Sequence, residues 1–91
     1  MSDVEIVRTA TQFELLKDGR RIGQLRYTRD GDVLTLTHTE VSAEFSGQGL
    51  AGRLVESALT DIRDHGQSVV AQCPYARSYL HKHPQWADLT V

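Results

Sequence analysis

The chain has 91 residues, 40% hydrophobic and 24% charged, enough for one small globular domain over residues 1–91 with a modest core. Its net charge of -2 argues against a nucleic-acid-binding surface, which should be distinctly basic, and no run is apolar enough to cross a membrane. One cysteine, Cys73, excludes an internal disulfide; with an N-terminus that lacks the regions of a signal peptide, it points to a cytoplasmic protein.

The first half reads as strands. Residues 4–9 and 13–16 are the first two, and the second leads into Lys17-Asp18-Gly19-Arg20. Residues 22–27 lead into Arg29-Asp30-Gly31-Asp32. Each Asp-Gly pair suits a tight hairpin, because both residues tolerate positive φ. Residues 33–41 alternate, with Val33, Thr35, Thr37, Thr39 and Val41 on one side and Leu34, Leu36, His38 and Glu40 on the other. Together these segments predict an antiparallel meander.

The period changes at Gly47. Leu50, Leu54, Ala58 and Ile62 recur every four residues, flanked by Val55 and Leu59, which is one face of a helix. Gly66 is placed to cap its end. Residues 68–73 read as a buried strand ended by Pro74. Residues 75–83 read as a second helix stopped before Pro84. Trp86, Leu89 and Val91 are expected to close the core as a terminal strand or hook. The predicted class is α+β, a mainly antiparallel mixed sheet with two main helices.

The densest signal is Ser46-Gly47-Gln48-Gly49-Leu50-Ala51-Gly52-Arg53 at the mouth of the first helix. A helix start carries unbonded N–H groups and the positive end of a dipole, and glycines let an anion approach that backbone. A phosphate-bearing ligand fits. Gly47 to Gly52 also spell the dinucleotide fingerprint G-x-G-x-x-G. The context opposes that reading, since residues 42–46 separate the glycines from the preceding strand and the later acidic ribose partner is missing. A P-loop nearly matches, but Arg53 and Leu54 stand where Lys and Ser/Thr would bind phosphate and magnesium, which opposes that reading too.

The frame Ser46-Gly47-Gln48-Gly49-Leu50-Ala51 resembles the Q/R-x-x-G-x-G/A loop of GNAT-superfamily N-acetyltransferases, with Ser46 in place of Gln or Arg. His38-Thr39-Glu40-Val41, Cys73-Pro74-Tyr75 and the Tyr79-Leu80…His83-Pro84 block fall in register with it. The chain is therefore similar to the small, single-domain GNAT-like acetyltransferases over most of its length. The resemblance implies acetyl-CoA as cosubstrate, with its pyrophosphate on the backbone of residues 46–53. It also implies a sheet that splays beside that loop, pantetheine along the strand ending at Val41, and a thioester pointing at the strand of Cys73. Pro74, Tyr75 and Tyr79 would complete the coenzyme site. The extra N-terminal helices that enclose the acceptor in larger members are missing, which suits a protein-borne or extended amine.

Transfer of acetyl to an amine needs removal of a proton, stabilisation of an oxyanion and protonation of the leaving thiolate. Glu40 is a candidate base, with His38 two residues away on the same face. Cys73 is a candidate carrier of the acetyl group, although the superfamily generally transfers directly. Tyr79 is a candidate acid for the thiolate. Each has a structural alternative, respectively a solvated carboxylate, a sheet histidine, a small buried hydrophobe and a packed aromatic. His81 and His83 point apart on a helix, so no metal is expected. The leading expectation is an N-acetyltransferase working by direct transfer. The alternatives are a coenzyme A or acyl-CoA binding module without turnover, and an interaction domain that has lost the coenzyme. The amine acceptor and the oligomeric state are open at this stage.

Overall fold

Hairpin chemistry and a chain of alternating residues build the sheet. A computed structural model describes residues 4–91. Met1, Ser2 and Asp3, on which part of the reading of the N-terminus rests, lie outside the described residues. Four strands form a meander: β1 (Val4–Arg8), β2 (Gln12–Lys17), β3 (Arg20–Asp30) and β4 (Val33–Val41). A short 3-10 turn (Ala43–Phe45) leads to α1 (Leu50–Asp64), followed by β5 (Ser68–Ala71), α2 (Pro74–Lys82) and a second 3-10 turn (Pro84–Leu89). The strand order is β1-β2-β3-β4-β5, with the meander antiparallel and β5 parallel to β4. The α+β class and the mixed sheet with two main helices stand as read. Among the described residues no helix is long and apolar enough to cross a membrane.

The first hairpin turns at Asp18 and Gly19, both at positive φ, as a two-residue turn of this type demands. The second turns one residue later than its Asp-Gly pair, on Gly31-Asp32, with positive φ at Gly31 alone. β5 ends two residues short of the strand expected over 68–73. Gln72 has left the sheet, and Cys73 is the N-cap of α2, with Pro74 at the first helical position, where a missing N–H costs nothing. Of the strand or hook expected at the end of the chain, the structure has the hook: a 3-10 turn with Trp86 and Leu89 buried, tied to β5 by an isolated parallel bridge between Val69 and Thr90, while Val91 is 75% exposed.

The core lies between the sheet and α1. Leu50, Leu54, Val55, Ala58, Leu59 and Ile62 of α1 meet Phe13, Leu15, Leu25, Tyr27, Leu34 and Leu36. Each Leu, Val, Ile or Phe among them contributes about 1.5–3 kcal/mol when fully buried. At the far end from the glycines, Arg8 ties β1 to α1. Its guanidinium bonds Asp61 at 2.6 Å, Gln67 at 3.1 Å and the Tyr27 hydroxyl at 3.2 Å.

A bulge in β4 decides which side chains face the helices. Arg26 pairs with His38, and the next residue, Tyr27, pairs with Leu36, so Thr37 is an extra residue in β4. The alternation changes phase there. Leu34 and Leu36 face the helices. Beyond the bulge it is Thr39, opposite the buried Leu25, that faces them. His38 and Glu40 therefore do not share the face of Leu34 and Leu36. They stand on the open face, opposite Arg26 and Gln24.

Gly23, opposite Val41, is crowded. A Cβ there would come within 2.9 Å of the Glu40 carbonyl oxygen and 3.2 Å of Val41 Cγ2. Backbone cannot yield as a side chain tip does. Gly23→Ala should therefore destabilise the fold by about 1–3 kcal/mol, the usual cost of overpacking. A thermal melt should show the midpoint lowered by several degrees at least.

Candidate functional site

The glycine segment is an open backbone cradle. Gly47 and Gly49 adopt left-handed φ of 80° and 73°, which L side chains resist, and Gly49 is the N-cap of α1. Among the described residues no side chain caps the helix. Ser46 donates its N–H to the Ala43 carbonyl, and the next bonded amide is that of Arg53, to the Gly49 carbonyl at 3.2 Å. Among the described residues, the amides of 47–52 thus donate to no protein acceptor. Ser46, Gly47, Gln48 and Gly49 are exposed, and, chain neighbours aside, no atom of the described residues lies within 4 Å of where a Cβ on Gly47 or Gly49 would be. Ala51 and Gly52 are half-buried, Leu50 anchors the turn in the core, and Arg53 is exposed without an ion pair among the described residues.

The sheet forks beside this cradle. β4 and β5 pair from Val33 with Ser68 to Leu36 with Ala71, then part. The Gln72 and Cys73 amides both bond the Leu36 carbonyl, at 3.0 and 2.9 Å, so the chain pivots there into α2. β4 runs on to the half-buried Val41 without β5 beside it. The bulge at Thr37, in the pairing of β4 with β3, sits at the same point, and a bulge bends its strand.

Cys73 lies at the apex of the fork, 4% exposed, with its Sγ 3.1 Å from the Thr39 hydroxyl. Burial pushes the thiol up. The hydrogen bond from Thr39 and the backbone N–H groups of Ala76, Tyr75 and Thr39 outweigh it, holding the thiol below its ordinary value. The amides of Ala76 and Tyr75 belong to the first turn of α2, so Cys73 uses a helix N-terminus as an anion-stabilising pole.

α2 brings the tyrosines to the cradle. A Cβ on Gly52 would lie 3.5 Å from the Tyr75 hydroxyl and 3.8 Å from Tyr79 Cε2. Both rings thus lean over the first turn of α1, from positions four apart on one helix face. Tyr75 is 43% exposed. Burial raises the Tyr79 phenol, with the charges of Glu56 and Tyr75 adding to it; the Trp86 indole opposes the rise but makes no hydrogen bond of ordinary geometry. The Tyr79 ring stacks on His83 at 3.9 Å.

Glu40 stands apart from this group. It is 62% exposed on the open face, accepting from Gln24 Nε2 at 2.9 Å, with His38 Nε2 4.0 Å away. It lines a surface hollow of about 480 Å³ with Arg21, Gly23, Gln24, Val41 and Ser42. Another hollow, of about 330 Å³ between β1 and α1, has Arg53 at its edge but none of the glycine loop, Cys73 or the tyrosines. The structure therefore gathers the cradle, Cys73, Pro74, Tyr75 and Tyr79 on the helix side, and leaves His38 and Glu40 across the sheet. Sequence reading missed Thr39 as the partner of Cys73. Its only signal was the change from apolar Leu34 and Leu36 to polar His38 and Glu40 within one alternating phase. Among the described residues no three His, Cys, Asp or Glu side chains are grouped as a metal would need.

Residues 12–89 match the family of GCN5-related N-acetyl-transferases. The chain belongs to that family. A GCN5-like GNAT protein from Staphylococcus aureus, solved in solution, is 25% identical and superposes with a TM-score of 0.76, over 100% of this chain and 91% of its own. A GNAT N-acetyltransferase from Escherichia coli, YhbS, solved with CoA, is 25% identical with a TM-score of 0.59, over 66% of this chain and 38% of its own. The Escherichia coli ribosomal-protein-S18-alanine N-acetyltransferase, at 19% identity and a TM-score of 0.62, shares the fold over 71% of this chain and 43% of its own. This GNAT chain thus spans less than half the length of those two enzymes, while it matches the Staphylococcus aureus protein nearly end to end.

Proposed function

We propose that this chain is an acetyl-CoA-dependent N-acetyltransferase acting on an exposed amine, a lysine side chain or N-terminus carried by a protein or another extended molecule. The observation that carries the reading is the row of unbonded amides at 47–52 set beside the parted strands, with Cys73 at the apex. The cradle suits a diphosphate, since aligned N–H groups and the helix dipole both favour negative charge. The free β4 edge up to Val41 suits the amide-bearing pantetheine arm. CoA in the solved complex of YhbS supports the same ligand class.

The geometry favours Cys73 over Glu40 as the group that meets the thioester, which departs from direct transfer. The Cys73 thiolate attacks the acetyl carbonyl carbon, and the carbon–sulfur bond to the coenzyme breaks. Tyr79, whose burial keeps it protonated, gives its proton to the departing thiolate. The neutral acceptor amine then attacks the Cys73 thioester, its extra proton goes to solvent, and the Cys73 thiolate is released. Glu40, His38 and Gln24 lie on the open face, across the sheet from this step.

Incubation with acetyl-CoA and a library of peptide amines, read by mass spectrometry, tests the proposal. An acetylated peptide, with an acetyl adduct on Cys73 in its absence, is expected. Raised melting temperature with neither product would leave a coenzyme-binding module instead.

A further inference from the structure

Among the described residues, the one fully buried side-chain polar atom without a hydrogen-bond partner is Nε1 of Trp86. Such an orphan donor is costly in a resting protein and calls for a use elsewhere. The indole is not free to turn away. It is 7% exposed, and the Arg63 guanidinium covers its ring at 4.5 Å. Arg63 is itself fastened to the Gln85 carbonyl at 3.1 Å and the Asp88 carboxylate at 2.9 Å.

The Trp86 indole bears on the Tyr79 phenol, which it lowers against the rise that burial causes, without making a hydrogen bond of ordinary geometry. Tyr79 is fixed on its other sides. His83 stacks against its ring, and His83 Nδ1 lies 2.8 Å from the Tyr79 carbonyl. The ring edge meets Gly52 at the mouth of the cradle. The charged and titratable groups around the phenol are Glu56 from α1, Tyr75 and His83 from α2 and its end, with Arg63 and Asp88 behind the indole.

We propose that Trp86 is a positioning residue for the transfer, its indole N–H idle at rest and donated to the Tyr79 oxygen once that oxygen has released its proton. The inference rests on Tyr79 being the acid of the proposed reaction. The Tyr79 O–H bond breaks as the S–H bond of the departing coenzyme forms. The phenolate left behind is the charge that develops, and a donor already in place needs no reorganisation to meet it. The phenol is restored from solvent, which receives the proton of the acceptor amine.

The test begins in the coenzyme-free protein and needs no activity. The indole N–H resonance of Trp86 should move with pH as Tyr79 titrates, and that movement should vanish in Tyr79→Phe. In Trp86→Phe, which keeps an aromatic ring and removes the donor, the ¹³C-labelled Tyr79 ring should titrate at higher pH. The same variant should keep its thermal shift with acetyl-CoA and its KM, while kcat falls about tenfold. An indole resonance blind to pH in the wild-type protein overturns the proposal, whatever the fate of the variant. Coupled titration in a protein without turnover would support the pair and remove the transferase reading.

Discussion

Gly49→Glu should leave a folded protein that acetyl-CoA no longer stabilises. Gly49 is the N-cap of α1 at φ 73°, and the space where its Cβ would stand is open. A side chain there meets no neighbour, so the fold loses only the strain of left-handed backbone, about 1 kcal/mol. The ligand loses far more. The new carboxylate occupies the mouth of the amide row that would otherwise face the diphosphate, and it repels a ligand of the same sign at the one place where the helix dipole favours charge. A hundredfold or greater loss of affinity corresponds to about 2.7 kcal/mol, within reach of one misplaced charge at close range. Gly49→Asn separates the two effects, because Asn tolerates left-handed backbone without adding charge. It should retain most of the ligand-induced rise in melting temperature. Thermal shift at a series of acetyl-CoA concentrations measures both variants. Equal shifts in wild type and Gly49→Glu would mean that the coenzyme binds elsewhere.

The cradle was legible because its requirement is local. Glycines at 47 and 49 and a helical period beginning at Leu50 state, within a few residues, that backbone amides are left bare. The topology was legible for a similar reason, since turn residues and periods mark each element, and four blocks in register with a known family fix their order. What escaped was set at long range. The phase change at Thr37 leaves the alternation of residues 33–41 intact on paper, because threonine tolerates either face of a sheet. The turn from apolar Leu34 and Leu36 to polar His38 and Glu40 hints at it, and the pairing of Tyr27 with Leu36 reveals it. That one extra residue moved Glu40 and His38 across the sheet and brought Thr39 to Cys73, 34 residues away in sequence. The tie between Arg8 and Asp61 spans 53 residues and carries no local mark. Gly23 shows no local sign that the neighbouring strand crowds it.

The same shift sets the sharpest chemical contrast. Cys73→Ala should abolish both the acetyl adduct and transfer to an amine, whereas Glu40→Gln should slow transfer modestly or leave it intact. Cys73 is a small side chain in contact with Thr39, so its loss costs the fold about 1 kcal/mol or less, and coenzyme binding should survive. Glu40 holds Gln24 and approaches His38 on the open face, and glutamine preserves the size and one acceptor. The pH dependence adds an independent reading. The thiol is held below its ordinary value, and the thiolate is the nucleophile, so acylation by acetyl-CoA should rise with pH and level off earlier than for a free cysteine. Thr39→Val removes the hydroxyl that steadies the sulfur; the plateau should then move to higher pH with the coenzyme affinity unchanged. Time-resolved mass spectrometry of the protein adduct across the pH range reads all three variants. Full transfer by Cys73→Ala, with a pH profile that collapses in Glu40→Gln, would return the chemistry to the open face and to direct attack by the amine.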